Sequence, residues 1–185
     1  AALVGIPGLY LAAAGITEAL GGDGLAAPSG RWGEVVVLAI LVATAGPVEE
    51  LGWRGFALPL LQRRHDGLVA TFLLGAVWAL WHAPLFVEPL TRGEGLGFAI
   101  FAVQILALSV VLAVLYNAGR GSLSVVVLAH WLTNLPYPWE GAGNLLPAQA
   151  ALLALTAIVL ALAPTRRWLA RPALQTSPLG VAHAE

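Results

Sequence analysis

The sequence predicts an all-α protein, a polytopic transmembrane bundle of about six helices. Of its 185 residues, 59% are hydrophobic and only 10% are charged. Its mean hydropathy is +0.83. A typical soluble domain carries about 25% charged residues, so this chain lacks the polar surface to cover itself in water. Several apolar stretches reach about 18 residues, the length that crosses a bilayer as a helix. The composition therefore indicates an integral membrane protein.

Charge and cysteine content exclude other classes of protein. The net charge is −1 without a basic block, so nucleic acid is not expected among the partners. The absence of cysteine excludes disulfides, thiol nucleophiles and cysteine metal sites. Methionine is also absent, even at position 1, and the chain opens inside an apolar run. We therefore expect the natural protein to begin upstream of Ala1.

Six apolar segments follow one another, separated by turn-forming residues. The first ends at a glycine-rich turn, and the second is broken in the middle by Gly46-Pro47. These segments define a transmembrane domain over residues 1–163, followed by a flexible tail at 164–185 that is rich in Pro, Ala and Arg. The segments span about Ala1–Leu20, Trp32–Leu61, Leu68–Val87, Leu96–Tyr116, Ser122–Leu135 and Leu145–Ala163.

Loop charges predict the orientation of the bundle. Two arginines, Arg31 and Arg92, lie on the side that also carries most of the acidic loop residues. Six others follow the even-numbered segments: Arg63, Arg64, Arg120, Arg166, Arg167 and Arg171. Because cytoplasmic loops carry an excess of basic residues, the even-numbered loops and the C-terminus are predicted to be cytoplasmic. The arginine-rich composition is typical of a high-GC bacterium, which predicts the inner membrane as the location.

Ionisable side chains inside apolar segments are functional candidates, since the bilayer penalises them. The polar residues found there are Glu49, Glu50, Arg54, His82, His130 and Asn134. Each acidic residue at a helix centre costs about 2.5–3.5 kcal/mol before pairing. Glu50 and Arg54 are four residues apart and can form an ion pair that offsets part of this cost. Glu49 lies about 100° round the helix and cannot share that geometry, so it requires another explanation.

Hairpin geometry brings these side chains to similar depths. Glu49 lies about 16 residues before the turn at His65-Asp66 and His82 about 16 residues after it, so both lie about 25 Å from the turn. His130 reaches a comparable but shallower level, with Asn134 on the same helical face. A single buried histidine is as often a hydrogen-bond donor in helix packing as a functional residue. Two histidines at about the same depth as a glutamate that is not part of the ion pair indicate a functional polar cavity between the second, third and fifth segments.

The chemistry of this set is that of an acid–base hydrolase with water as the nucleophile. A carboxylate and an imidazole can act as general base, while a second histidine and an asparagine can stabilise an oxyanion or ligate a metal. The His-Glu-x-x-His zinc motif is missing, and the two aspartates, Asp23 and Asp66, lie in loops. Ser122 and Ser124 precede His130 on its own helix, where a helix-start or packing role explains them.

Three motifs together resemble the CPBP family of intramembrane proteases, which includes CAAX prenyl endopeptidases and Abi-type bacteriocin-processing or immunity proteins. They occur in the family's order within residues 47–134. They are Glu49-Glu50-x-x-x-Arg54, Trp78-x-x-x-His82 and His130-x-x-x-Asn134. Trp78 departs from the family pattern, which usually has Phe. Because an aromatic ring is retained, we expect altered packing and not lost activity.

The resemblance implies roles by motif position. Glu49 would activate the hydrolytic water, with His82 holding or polarising it. His130 and Asn134 would stabilise the oxyanion or position the scissile carbonyl. Glu50 would brace the site together with Arg54 and could share the water.

The sequence leaves the cofactor and the substrate open. One divalent metal such as zinc could be held by Glu49, His82 and His130, and a metal-free mechanism is equally compatible with these residues. The expected partners are the lipid bilayer and a peptide or lipidated protein substrate, of the CAAX type or of a leader or bacteriocin type. The oligomeric state is not determined.

Other interpretations also remain. The same fold could act as a non-catalytic membrane immunity or partner protein. A proton- or metal-coupled transporter is a third hypothesis, against which the lack of an internal repeat counts. Four tryptophans flank the polar residues and either wall the cavity or pack against helices and lipid: Trp53, Trp78, Trp81 and Trp131.

Overall fold

In a computed structural model, residues 2–26, 32–86, 97–135 and 142–162 are described, and they form a bundle of helices. A π-helical turn at Trp53–Ala57 joins α2 to α3, so the two form one continuous helix and the described ranges contain six long helical segments. This confirms the predicted all-α membrane bundle. The α-helices are α1 (Ala2–Ala19), α2 (Trp32–Gly52), α3 (Leu58–Gln62), α4 (Gly67–Trp81), α5 (Gly97–Ala118), α6 (Leu123–Asn134) and α7 (Leu146–Leu162).

Two helices in the described ranges are long and apolar enough to cross a membrane unaided. They are Val35–Gln62, with 28 residues, and Gly97–Ala118, with 22. The remaining helices are apolar but shorter. With 12 residues, α6 spans only about 18 Å of a hydrocarbon core about 30 Å thick. The continuous α2–α3 helix and α5 are therefore the described helices that are long enough to span the hydrocarbon core.

The central helix of the bundle is α5, which packs most extensively against α7 and α4. It contributes many of the fully buried apolar side chains, Leu112 and Ala113 among them. Small residues allow close packing: a Cβ on Gly75 of α4 would come within 3.0 Å of the Ser109 Cβ. On the other side, α2 packs along α6, and α1 covers α6 and α7. This arrangement places α2, α4 and α6 around a common interior.

Short turns set the antiparallel pairs that carry the polar residues. Asp66 caps α4, its side chain accepting a hydrogen bond of 2.9 Å from the Leu68 amide. Between α5 and α6 the chain reverses through Arg120 and Gly121, whose φ angles are 55° and 82°. Glycine tolerates this left-handed conformation without strain.

Two features of the predicted segments are wrong. Gly46-Pro47 does not break the second segment, because α2 continues through it to Gly52 and the irregular turn follows at Trp53–Ala57. The third segment ends at Trp81 and not at Val87. Ala83 precedes Pro84, which disfavours α-helical geometry at Ala83, and the chain continues as a 3₁₀ turn. The predicted tail at 164–185 lies outside the described residues.

Candidate active site

A cavity of about 270 Å³ lies between α1, α2, α4, α5 and α6, and four of the six predicted site residues line it. Its remaining walls are mostly apolar, with Leu41, Phe101 and Leu108 among them. Glu50 and Arg54 lie behind the wall, and both are fully buried. The four residues that face the cavity are Glu49, His82, His130 and Asn134.

The Glu49 carboxylate is held by two tryptophans. Its Oε2 accepts a hydrogen bond of 3.0 Å from the indole Nε1 of Trp78 and another of 3.2 Å from that of Trp53. Trp53 lies four residues further along the same helix, whereas Trp78 comes from α4. Both donors are neutral, so they orient the carboxylate without neutralising its negative charge. The two indoles therefore hold the Glu49 carboxylate in a defined position at the wall of the cavity.

His82 stands at the C-terminal end of α4, where its ring is fixed by the preceding turn. Its Nδ1 lies 2.9 Å from the carbonyl oxygen of Trp78. A carbonyl only accepts hydrogen bonds, so Nδ1 carries the hydrogen and donates it, and Nε2 of the neutral ring is a hydrogen-bond acceptor. The ring also packs against Phe101, with the centroids 5.4 Å apart. His82 thus presents one defined basic nitrogen.

His130 is bonded to Glu50 behind the cavity wall. Its Nδ1 lies 2.7 Å from Glu50 Oε1, and the same oxygen accepts a bond of 2.8 Å from Arg54 Nη1. The predicted ion pair between Glu50 and Arg54 is confirmed. Since the carboxylate accepts, the His130 hydrogen resides on Nδ1, and Nε2 accepts in the neutral ring and donates once protonated.

Arg54 is anchored by more than its ion pair. The guanidinium carbon lies 4.6 Å from the centroid of the Trp78 ring, a cation–π contact. Arg54 Nη2 donates a bond of 3.3 Å to Ser109 Oγ, which itself donates to the Thr71 carbonyl at 3.1 Å. Arg54, Glu50 and His130 therefore form a buried chain that ties α2, α4, α5 and α6 together.

Gly46 explains how α2 approaches α6 so closely. A Cβ at this position would overlap the Asn134 side-chain amide and would lie only 3.0 Å from His130 Nε2. Asn134 itself is half-buried one turn beyond His130. The glycine is needed for this close approach, and not for the helix break expected from the sequence.

The tryptophans separate into different roles. Trp78 lines the cavity and is 1% exposed, whereas Trp81 is 66% exposed. Trp131 lies in a separate groove, which it shares with Pro47. The hydrogen bonds from Trp53 and Trp78 to Glu49 were not predicted. A signal existed in the i, i+4 spacing of Glu49 and Trp53, but the partner from α4 depends on helix packing.

The residues proposed as metal ligands do not form a ligand set in this structure. Within the described part of the chain, no group of three His, Asp or Glu side chains is arranged to hold a metal ion. The described geometry therefore supports chemistry by the side chains themselves.

Comparison with known proteins agrees with the motifs. Residues 31–136, more than half of the chain, match the family described as type II CAAX prenyl endopeptidase Rce1-like. The chain belongs to this family. A CAAX prenyl protease 2 from Methanococcus maripaludis is 33% identical over 108 residues, which cover 55% of this chain and 40% of the relative. The matched part thus spans less than half of that relative's length. The resemblance inferred from the three motifs is confirmed.

Proposed function

We propose that the protein is an intramembrane endopeptidase that hydrolyses a peptide bond of a membrane-associated substrate. The observation that carries this proposal is the Glu49 carboxylate, held by two neutral indoles in a cavity that His82, His130 and Asn134 also line. Membership of a family described by its peptidase activity supports the same reaction class. Apolar helices surround the cavity, which limits the entry of water and strengthens electrostatic effects inside it.

The first step activates a water molecule. Glu49 takes a proton from the water, while His82 Nε2 accepts a hydrogen bond from it and holds it in place. The hydroxide oxygen then forms a bond to the carbonyl carbon of the scissile peptide. The carbonyl π electrons move to its oxygen, and a tetrahedral oxyanion results.

The second step stabilises the oxyanion and breaks the bond. The Asn134 amide donates a hydrogen bond to the oxyanion, and His130 Nε2 donates a second one when that nitrogen is protonated. When the intermediate collapses, the C–N bond breaks and Glu49 returns its proton to the leaving nitrogen. The products are a carboxylic acid and an amine, the proton of the acid then passes to the amine to give a carboxylate and an ammonium group, and Glu49 is again ionised.

Glu50 and Arg54 act as positioning residues in this mechanism. Glu50 accepts the Nδ1 hydrogen of His130, which sets the ring's tautomer and directs Nε2 away from the ion pair. Arg54 compensates the buried charge of Glu50. Neither residue touches the substrate.

The substrate and the location are part of the proposal. A membrane-anchored peptide is the class that can deliver a scissile bond to a cavity between apolar helices, and both CAAX-type lipidated peptides and leader or bacteriocin-type peptides satisfy this condition. The CAAX prenyl protease 2 named above supports the first type. The proposed location is the inner membrane of a bacterium with the C-terminus in the cytoplasm, and the excess of arginine after the even-numbered segments supports this orientation.

The decisive test is Glu49→Gln, which keeps the shape of the side chain and removes the base. Purified protein in proteoliposomes is assayed with prenylated CAAX peptides and with hydrophobic leader peptides. We expect wild type to cleave at least one class and the variant to lose about 10²–10⁴-fold in kcat. Undiminished cleavage by a folded Glu49→Gln variant contradicts the mechanism. A non-catalytic partner protein predicts instead that binding or protection survives Glu49→Gln combined with His82→Ala.

A second experiment addresses the metal. We expect the purified protein to contain less than one equivalent of zinc or other divalent metal, and its cleavage rate to be unchanged by a chelator. The physical reason is that the described residues contain no group of three His, Asp or Glu side chains arranged to hold a metal ion. Stoichiometric metal that is lost in parallel with activity, and restores it on return, contradicts the metal-free mechanism.

A further inference from the structure

Tyr10 is a buried tyrosine of α1, and it lines the same cavity as Glu49 and Asn134. Its hydroxyl donates a hydrogen bond to the backbone carbonyl oxygen of Thr133 in α6. The helix α1 carries none of the motif residues, and the family match begins only at residue 31. The hydrolytic mechanism above does not use this hydroxyl.

The carbonyl that accepts this bond belongs to the last turn of α6, which ends at Asn134. The last four carbonyl oxygens of a helix have no partner within the helix, and helix ends open at little cost in free energy unless other groups bind them. Tyr10 supplies such a group from another helix. Within the same turn, the Thr133 hydroxyl donates to the carbonyl oxygen of His130 at 2.6 Å. The two bonds secure the turn that carries both His130 and Asn134.

The two polar residues of this turn differ in how they are held. His130 has a second anchor, because its Nδ1 is bonded to Glu50. Asn134 is the final residue of the helix and is half-buried at the cavity. A donor that stabilises an oxyanion must be held within about 0.5 Å of its productive position. The restraint that Tyr10 places on the adjoining peptide group therefore matters most for Asn134.

We propose that Tyr10 is a positioning residue, which holds the last turn of α6 so that the Asn134 amide faces the oxyanion. Tyr10 acts through Asn134 and does not touch the reacting atoms, so its hydroxyl affects the chemical step more than the binding of substrate. The bond thereby makes α1, which lies outside the matched residues, part of the support of the site. This inference rests on the proposed endopeptidase function.

The test is a double-mutant cycle between Tyr10→Phe and Asn134→Ala, with a peptide that wild type cleaves. Tyr10→Phe keeps the ring and removes only the hydroxyl, so we expect kcat to fall about 3–10-fold and KM to change less than about twofold. Asn134→Ala should lower kcat about 10²–10³-fold. In the Asn134→Ala background, Tyr10→Phe should lower kcat no further, because the group that it positions is absent. Single-turnover assays with excess protein follow the slow variants.

Hydrogen exchange gives a second readout, which does not depend on activity. Backbone amides in the last turn of α6 should exchange about 3–10-fold faster in Tyr10→Phe than in wild type, while those of α4 exchange as before. Ile6→Val is the matched control, because Ile6 is a buried residue of α1 one turn before Tyr10 and its side chain cannot donate to Thr133. It should lower the stability of the bundle and leave kcat and this exchange as in wild type.

Any one of three results overturns the inference: a kcat of Tyr10→Phe equal to that of wild type, losses that multiply in the double variant, or unchanged exchange at the end of α6. Tyr10 would then only pack α1 against its neighbours. Asn134→Leu, which is similar in shape and cannot donate, replaces the alanine variant if that variant does not fold.

The outcomes also separate this inference from the proposed function. If wild type cleaves no peptide, or if Glu49→Gln cleaves as fast as wild type, the endopeptidase proposal fails and the role of Tyr10 fails with it. If wild type cleaves, Glu49→Gln does not, and Tyr10→Phe cleaves as fast as wild type, the inference alone fails.

Discussion

Glu49 and Glu50 are adjacent in the chain and have opposite surroundings. Glu50 is fully buried, and its Oε1 binds the guanidinium of Arg54 and the imidazole of His130. Glu49 is half-buried at the cavity wall, and its Oε2 binds two neutral indoles. Successive residues of a helix point about 100° apart, so one carboxylate faces the interior of the bundle and the other faces the cavity.

This difference shows how one residue type serves two purposes in a membrane bundle. A carboxylate bonded to a buried guanidinium has its charge compensated, and breaking the pair leaves an uncompensated charge in the interior. A carboxylate held by N–H groups of neutral rings keeps its charge and can take up a proton. The structural role therefore belongs to Glu50 and the chemical role to Glu49.

The largest expected effect is the loss of stability in Glu50→Gln. We expect this variant to be destabilised by about 3–5 kcal/mol, because the buried guanidinium of Arg54 loses its counter-charge. Glu49→Gln is the matched variant and should change the free energy of unfolding by less than about 1 kcal/mol, since the glutamine oxygen still accepts from the indoles. Thermal unfolding in detergent, followed by tryptophan fluorescence, measures both. Equal destabilisation would break the comparison between the two carboxylates.

The next effect concerns the approach of α2 to α6. Gly46→Ala should destabilise the protein by about 1–3 kcal/mol and lower kcat, because the new methyl group overlaps the Asn134 amide and crowds His130 Nε2. Gly52→Ala is the control: a Cβ there meets nothing within 4 Å, and replacing a helical glycine should stabilise by about 0.5–1 kcal/mol. The same unfolding assay checks both variants. A Gly46→Ala variant as stable as Gly52→Ala would show that the helices separate freely.

The smallest effect is expected for the indole donors. Trp78→Phe keeps an aromatic ring beside Arg54 but removes the N–H to Glu49, so we expect kcat to fall about tenfold. Trp53→Phe should cost less, because its bond is longer and Trp78 still holds the same oxygen.

Trp81→Phe serves as the control for both substitutions, because Trp81 is largely exposed and lies edge-on to Trp53 at 6.4 Å between ring centroids. The kcat of the Trp81→Phe variant should equal that of wild type. If Trp78→Phe is also unchanged, the indoles only pack against Glu49 and do not orient it. That result would leave burial, and not the hydrogen-bond partners, as the difference between the two carboxylates.

Much of the helical framework was predictable because apolar runs and turn residues act locally. The fourth segment, predicted at Leu96–Tyr116, is α5 at Gly97–Ala118, and the fifth is α6 within two residues of its predicted ends. The third segment was overestimated, because the effect of Pro84 on the preceding residue outweighs the continuing apolar run.

The sequence by itself determined that the chain is a helical membrane bundle, that Glu50 and Arg54 pair, and which polar residues the bilayer would penalise. Spacing along a single helix is sufficient for those conclusions. Only the tertiary structure decided that His130 bonds to Glu50, that Trp78 holds Glu49 and that a hydrogen bond from Gln104 to Gln149 joins α5 to α7. Contacts between helices depend on the rotation of each helix about its axis and on close approaches such as that at Gly46, and packing of the whole bundle sets both.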